Sequence, residues 1–262
     1  MFAQSEYLRF HCPWLETAEN WLFAQFIGEE FAARFLDIEE TEPERIAASC
    51  IVALEALRNA VPSLDLVLTP NGFGIVSNQN VAPVSRDRVA RLIASLETSR
   101  DNAIEQLISY LFQSSQWYDT PMRRWFTATL FPNIDLANLC GFTEHRWTNY
   151  IDLRSRAIEV EQQIANDYVS PEQLAVFHDE NCSLDGELSL ATSQHNSVTQ
   201  LLRSIVVRIL KGEPMPVHSL RDIVDFMRKN EDRFPDFRNS ATYQLFDPPI
   251  FENKKSNKGY FF

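Results

Sequence analysis

The chain has 262 residues, of which 45% are hydrophobic and 23% charged, and these proportions argue against wholesale disorder. A net charge of −12 argues against a protein that binds the phosphates of nucleic acid, because affinity for phosphates comes from clustered lysine and arginine. Aromatic residues make up 12% of the chain, more than one small core absorbs, so we expect some of them to be buried only in an assembly.

Acidic residues are concentrated in the first 84 residues, and much of the excess lies between Glu29 and Glu44. One interpretation is a solvated acidic face. The other is an acidic wall along which DNA slides without binding, and this second interpretation requires a ring-shaped assembly.

The cysteines are far apart and show no CxxC spacing, which predicts free thiols and no zinc site or disulfide framework; they are Cys12, Cys50, Cys140 and Cys182. No apolar run approaches the roughly 20 residues that a membrane-spanning helix needs. The N-terminal segment lacks the basic and then apolar layout of a signal peptide. The sequence therefore predicts a cytosolic protein with no membrane contact, unless it leaves the cell inside a larger particle.

Apolar residues recur at helical spacing through the first part of the chain. They predict a helix from Trp14 to about Leu36 that Gly28 interrupts, and a second helix from Pro43 that ends before Pro62. A β-hairpin is predicted over about 64–77, because Asn71 and Gly72 form a turn signal between two β-rich runs. A long helix follows over about 85–112.

The second part of the chain also carries helix signals. Ser170 and Pro171 begin a capping box that predicts a new helix, and Gly212 is the expected C-terminal cap of another. The predicted helices of this part cover about 122–131, 143–168, 171–181, 198–210 and 220–228.

The fold class that these patterns predict is mainly α: a helical bundle with one β-hairpin insertion and an extended C-terminal arm. We expect a first helical core over 1–113 that includes the hairpin, a second helical unit over 114–232, and the arm over 233–262. Many aromatic residues lie in the arm, so we expect it to dock on a protein surface rather than act as a solvated linker.

Motifs for catalysis, metal binding or phosphate binding are absent from the sequence, so it predicts no catalytic residue, no metal site and no cofactor. The histidines occur singly, and no GxSxG, GxGxxG or Walker loop is present. Arg123, Arg124 and Trp125 could meet a phosphate or a base, but we interpret them as an amphipathic helix end that packs against a partner.

The C-terminal residues are the strongest candidates for partner binding, because exposed aromatic rings promote aggregation unless a pocket receives them. Aromatic anchors with adjacent lysines favour a pocket in a neighbouring protein. These residues either fold back on their own subunit or insert into a neighbouring protein. The predicted partner-binding residues are Lys254, Lys255, Lys258, Tyr260, Phe261 and Phe262, together with Asn71, Gly72 and Phe73 of the hairpin.

Three segments resemble an uncharacterised family of phage and prophage proteins from Bacteroidetes hosts: TAENWLFAQFIGEEF, LVLTPNGFGIVSNQNVAPVSRDRV and FENKKSNKGYFF. The resemblance implies a product of the head-packaging module that is similar to head-to-tail connector (portal adaptor) proteins. It implies a homo-oligomeric ring under the portal, commonly a dodecamer, and an arm that reaches the portal protein or the next neck or tail ring protein. DNA would pass through the ring without specific binding, and the protein would be assembled in the bacterial host cytoplasm into the neck of the virion.

Two alternatives remain open at this point. The first is another virion structural component, such as a tail-completion or head-decorating protein. The second is a host-directed regulator or an enzyme of unrecognised type. Presence in purified particles separates the structural roles from the regulator.

Overall fold

The fold is described from a computed structural model, which covers residues 13–64, 67–69, 72–74, 86–181 and 190–246. The described chain is mainly helical, as the sequence predicted. It divides into two compact units, Met1–Ser155 (unit 1) and Arg156–Phe262 (unit 2). The division between the units lies at 155/156, inside helix 146–164, and within the residues 114–232 that the sequence predicts as a second helical unit.

The first described helix of unit 1 is α1 (Pro13–Leu22), which continues as a π-helical turn (Phe23–Ile27). Gly28 then breaks the helix with a φ of 76°, a conformation that side chains with a Cβ rarely adopt. Helix α2 (Glu29–Asp37) follows it. The predicted interruption at Gly28 is confirmed.

Two long helices form the next part of unit 1. Helix α3 (Pro43–Leu64) packs against α1 and against helix α4 (Arg86–Gln113). The predicted stop of α3 before Pro62 is wrong, because that proline lies inside the last turn. A proline near a helix end removes only one backbone hydrogen bond, and α3 accommodates that loss.

The segment between α3 and α4 contains two short strands, β1 (Val67–Thr69) and β2 (Gly72–Gly74). They pair antiparallel, with Val67 opposite Gly74. The remainder of the segment predicted to be a hairpin, about 64–77, lies almost entirely outside the described residues. A hairpin that serves as an inserted interaction element therefore stays a prediction.

Unit 1 also contains a core of aromatic side chains. After a 3₁₀ turn (Ser115–Trp117), helix α5 (Pro121–Thr127) and the short helix α6 (Asp135–Leu139), the chain enters helix α7 (Arg146–Ile164). The hydroxyl of Tyr150 on α7 donates to the carbonyl of Phe131, 3.0 Å away. One stacked and three tilted ring contacts join the core aromatics Phe26, Trp117, Phe126, Trp147 and Tyr150.

Unit 2 starts in the last turns of α7, which end in a π-helical turn (Ala165–Val169). The helices that follow are α8 (Pro171–Asn181), α9 (Leu190–Leu210), α10 (Val217–Lys229), α11 (Pro235–Arg238) and α12 (Ala241–Phe246). The predicted start of α8 is confirmed, since Ser170 Oγ accepts a hydrogen bond from the backbone N–H of Gln173 at 3.1 Å. Gly212, with a φ of 92°, ends α9 as predicted.

The predicted extended arm, 233–262, is helical in the part that the structure describes. Residues 235–246 form α11 and α12, and the rings of Phe234 and Phe237 are fully buried. The side-chain oxygen of Gln173 accepts a hydrogen bond from the backbone N–H of Phe237 at 3.3 Å. The aromatic residues that suggested docking on a partner therefore dock, up to Phe246, on unit 2 itself. Residues 247–262 lie outside the described residues.

If Phe237 anchors this C-terminal part, the substitution Phe237→Ala should lower the free energy of unfolding by about 3–5 kcal/mol, because it empties a buried aromatic site. Leu245→Ala is the control, since Leu245 is 68% exposed and its loss should change stability by about 0.5 kcal/mol or less. Urea denaturation measures both, and equal effects of the two substitutions would contradict the assignment.

Candidate functional site

A buried group of charged residues lies between α3, α4 and the start of α7 in unit 1. Arg100 of α4 donates through Nη1 to Glu55 Oε2 of α3 at 2.7 Å, and through Nε and Nη2 to Asp101 Oδ1 at 3.0 and 2.7 Å. Its Nη2 also lies 3.3 Å from Glu97 Oε1. These four residues, the Arg100 cluster, are each at least nine-tenths buried.

The Arg100 cluster extends to the start of α7. The second oxygen of Asp101 accepts a hydrogen bond from the backbone N–H of Trp147 at 3.3 Å. The second oxygen of Glu97 lies 2.6 Å from His145 Nδ1. His145 has a φ of 51°, a strained value for a residue with a side chain. The cluster thus ties α3, α4 and the start of α7 together.

Electrostatics keep the carboxylate of Glu55 charged despite its burial. Burial alone raises the pKa of Glu55, but the hydrogen bonds and charges of Arg58 and Arg100 outweigh it and hold that pKa below its ordinary value. Arg58 contributes two contacts to Glu55, at 2.7 and 3.1 Å. The guanidinium of Arg100 also lies 5.6 Å from the centre of the Trp21 ring, a cation–π contact.

The chemistry that the Arg100 cluster can perform is limited by its own pairing. Glu55, Glu97 and Asp101 each accept from Arg100. The carboxylate of Glu55, whose pKa is held below its ordinary value, is a poor proton acceptor for a substrate. The arrangement is suited to fixing the helices that carry it.

Substitution of Arg100 alone should destabilise the fold, because three carboxylates would remain buried without their counter-charge. We expect Arg100→Met to lower the free energy of unfolding by about 3–5 kcal/mol, since the acidic side chains lose their counter-charge. Arg208→Met is the matched control, because its pair with Glu213 is exposed and should contribute less than about 1 kcal/mol. Similar losses in the two variants, measured by urea denaturation, would refute the structural role of the cluster.

The lowered pKa of Glu55 predicts a pH dependence with a definite sign. A carboxyl with a lower pKa in the folded than in the unfolded chain stabilises the fold above its ordinary pKa of 4.5, and this stabilisation is lost as the pH falls through the folded value. The stability difference between the wild-type protein and Glu55→Gln should therefore shrink from about pH 7 to about pH 3.

Glu213→Gln, at an exposed carboxyl, serves as the control for this pH series. Its stability difference from the wild type should stay close to zero throughout. A difference for Glu55→Gln that does not change with pH would contradict the account of its pKa.

An apolar groove of about 410 Å³ lies on unit 2 between α9 and α10. Two large apolar side chains at its surface are exposed, Leu201 by 55% and Phe226 by 37%. The lining residues lie on one side of α9 from Ser197 to Arg208 and on α10 from Ser219 to Phe226. This α9–α10 groove is a candidate surface for a partner.

A histidine holds α9 in place beside this groove. His195 is buried, and its two ring nitrogens lie 2.6 Å from Glu180 Oε2 on α8 and 2.6 Å from the carbonyl oxygen of Arg233. Its ring also packs against Phe177 and Phe234. The helix that forms one wall of the groove is therefore fixed by polar and aromatic contacts on its other side.

A second apolar surface lies on α3 of unit 1. Ile46, Cys50, Ala53 and Leu57 follow one another at intervals of four, three and four residues, and all four are exposed. This spacing places them along one face of the helix. We refer to these four residues as the α3 stripe. Glu55 points from the opposite side of α3 into the Arg100 cluster.

Of the partner-binding residues predicted from the sequence, the described part of the chain includes only Gly72 and Phe73. Gly72 and Phe73 lie in strand β2. Asn71 and the C-terminal residues 254–262 lie outside the described residues, so their partner-binding role stays a prediction.

Sequence reasoning missed the Arg100 cluster and the α9–α10 groove. The adjacent charges of Arg100 and Asp101 inside an apolar helical pattern are one sign of a buried pair, whereas nothing in the sequence indicates that Leu201 faces outward.

Arg123 packs over the Tyr118 ring at 4.1 Å. Arg154 packs over the Trp125 ring at 3.8 Å. Both of these rings therefore have cationic partners within unit 1.

The described residues hold neither a candidate metal site nor a helix that could span a membrane. In that part of the chain, no group of three or more His, Cys, Asp or Glu side chains is arranged to hold a metal ion. None of the described helices is both long enough and apolar enough to cross a membrane.

Comparison with known protein families matches the chain to a family model. The model of a family of unknown function (DUF6712) matches residues 14–127 and 219–246, more than half of the chain, and the chain therefore belongs to this family. The matched ranges contain α1 to α5 with the α3 stripe and the Arg100 cluster, and most of α10. No curated protein and no solved structure matches the chain significantly.

Proposed function

We propose that this DUF6712 member is a bacteriophage structural protein, a head-to-tail connector (neck adaptor) subunit that forms a ring under the portal. The proposal is supported by the resemblance of three sequence segments to phage and prophage proteins. It is also in keeping with the mainly helical fold. In this role the protein binds other proteins and is not an enzyme.

The observation that carries the proposal is the presence of two apolar surfaces in one chain. The α3 stripe and the α9–α10 groove each expose large aliphatic or aromatic side chains. Exposed apolar surfaces on a protein are typical of sites that bind other proteins. A subunit of a ring needs two such surfaces, because a ring forms when two different patches of neighbouring copies meet.

Copies of the chain form a homo-oligomeric ring, commonly a dodecamer, between the portal protein and the next neck or tail ring protein. The C-terminal residues Lys254–Phe262 dock on one of these neighbours, and residues 71–73 of the hairpin contribute a further contact. DNA passes through the ring without specific binding, which the net charge of −12 favours because acidic walls repel phosphates.

Native mass spectrometry of the protein mixed with the portal protein of its phage tests this role. We expect a complex with the portal ring that disappears when Lys254–Phe262 is deleted, while the circular dichroism of the subunit stays unchanged. The physical reason is that aromatic anchors supply most of the binding energy at such contacts.

Two variants separate the contributions of this segment. Substitution of Tyr260, Phe261 and Phe262 by serine should abolish the complex. Substitution of the three neighbouring lysines by glutamine should only weaken it, in a manner that depends on salt. Absence of the protein from purified particles would contradict the virion role. A copy number that does not match the portal ring would instead favour a tail-completion or head-decorating protein.

A further inference from the structure

We infer that copies of this chain join one to the next by a single contact, in which the α3 stripe of one copy occupies the α9–α10 groove of a second copy. The inference rests on the proposed assembly role for the statement that copies meet, and it names the two surfaces that they use. Neither surface has a described partner within its own unit.

The α3 stripe has the spacing of a helix that binds in a groove. Its residues 46, 50, 53 and 57 are at the intervals by which amphipathic helices place anchors into an apolar cleft. Ile46 and Leu57, at the two ends, are exposed by 56% and 44%. The smaller Cys50 and Ala53 between them allow the backbone of α3 to approach another helix closely.

The α9–α10 groove matches this stripe in length. The stripe covers eleven helical steps, from Ile46 to Leu57, and the groove wall on α9 also covers eleven, from Ser197 to Arg208. At about 1.5 Å per step each surface is about 16 Å long. The walls of the groove are two helices, so a third helix can lie between them with its side chains in contact with both.

Charge and helix direction favour an antiparallel arrangement of α3 and α9. Glu42 and Glu44 lie just before and at the start of α3, near Ile46. Arg208 lines the groove in the last turn of α9, where it also pairs with Glu213 at 2.7 Å, and Lys211 follows directly after that helix. An antiparallel arrangement brings these opposite charges together and also aligns the two helix dipoles favourably. In a parallel arrangement the acidic residues would lie near Ser197 instead.

A second copy is the occupant that uses both surfaces. Every copy carries one stripe and one groove, so a contact between the stripe of one copy and the groove of the next covers both types of surface throughout an assembly. Such a contact joins two different patches and therefore propagates from copy to copy until a ring closes. An unrelated partner helix in the groove would leave the α3 stripe uncovered.

Disulfide trapping in the full chain tests this contact, because Cys50 lies in the middle of the stripe. In an antiparallel arrangement of eleven-step surfaces, Cys50 faces Ser204 of α9. We expect Ser204→Cys, in a background where Cys12, Cys140 and Cys182 are serine, to give covalent dimers and higher multimers on mild oxidation. Disulfides require Cα atoms within about 7 Å, so the trap reports contact and not mere proximity.

Two controls keep the trapping specific. Ser99→Cys places a thiol at an exposed position of α4 and should give at least about tenfold less cross-linking, because that position lies outside both surfaces. The Ser204→Cys chain with Cys50→Ser should give none. Equal cross-linking of the Ser99 and Ser204 variants, or a disulfide formed within a single monomeric chain, would overturn the inference.

A charge substitution provides a measurement that does not depend on cysteine chemistry. Leu57→Asp should convert the oligomer to a monomer by native mass spectrometry, whereas Leu36→Asp, at a similarly exposed leucine of α2, should leave it unchanged. An oligomer that survives Leu57→Asp overturns the inference. If the protein occupies the neck of the particle but the trap is negative, the contact fails and the connector role stands. If the disulfide cross-link forms but purified particles lack the protein, the connector role is wrong and the contact between copies stands.

Discussion

The Arg100 cluster is the constraint on which the described surface of unit 1 depends. Helix α3 is apolar around most of its circumference, so burial of apolar area alone gives no strong preference for one rotation of the helix about its axis. Glu55 removes this ambiguity. Its carboxylate is paired with Arg100 at 2.7 Å and with Arg58. A rotation of α3 that moved Glu55 to the surface would leave Arg100 buried and without one of its carboxylate partners, which is energetically costly.

The rotation fixed by Glu55 decides which residues of α3 reach the surface. Ile51 and Ala47 point into the core, and the α3 stripe faces outward. A buried ionic contact can cost more in desolvation than it returns, so its presence is better explained by the specific arrangement it imposes than by stability. In unit 2 the contacts of His195 play a comparable part, because they hold the inner side of α9 and leave Leu201 at the groove.

Local signals in the sequence predicted the helical elements well, because those signals act within a few residues. Gly28, the serine cap at Ser170 and Gly212 each mark a helix end through the backbone of their own neighbourhood, and each lies where the sequence placed it. Helical periodicity also predicted α3 itself. It did not tell which face of α3 meets the core and which meets the solvent, since that depends on a contact between residues 45 positions apart.

Other features depended on tertiary contacts that no local pattern encodes. The sequence assigned residues 235–246 to an extended arm, yet Phe234 and Phe237 bury themselves against unit 2 and the segment becomes helical. The α9–α10 groove exists because α9 and α10 lie apart at this surface, and the sequence of neither helix indicates that spacing. The candidate surfaces were therefore visible only after the fold was known, although their composition was already apolar in the sequence.

The most direct measurement is the rate at which Cys50 reacts with a thiol reagent in the isolated subunit and in the assembled protein, followed by peptide mass mapping. The account predicts rapid reaction in the isolated subunit, because the Arg100 cluster turns the α3 stripe outward. It predicts a reaction slower by at least about tenfold in the assembly, because a neighbouring copy covers the thiol. Equal rates in the two states, or a thiol protected already in the isolated subunit, would contradict it.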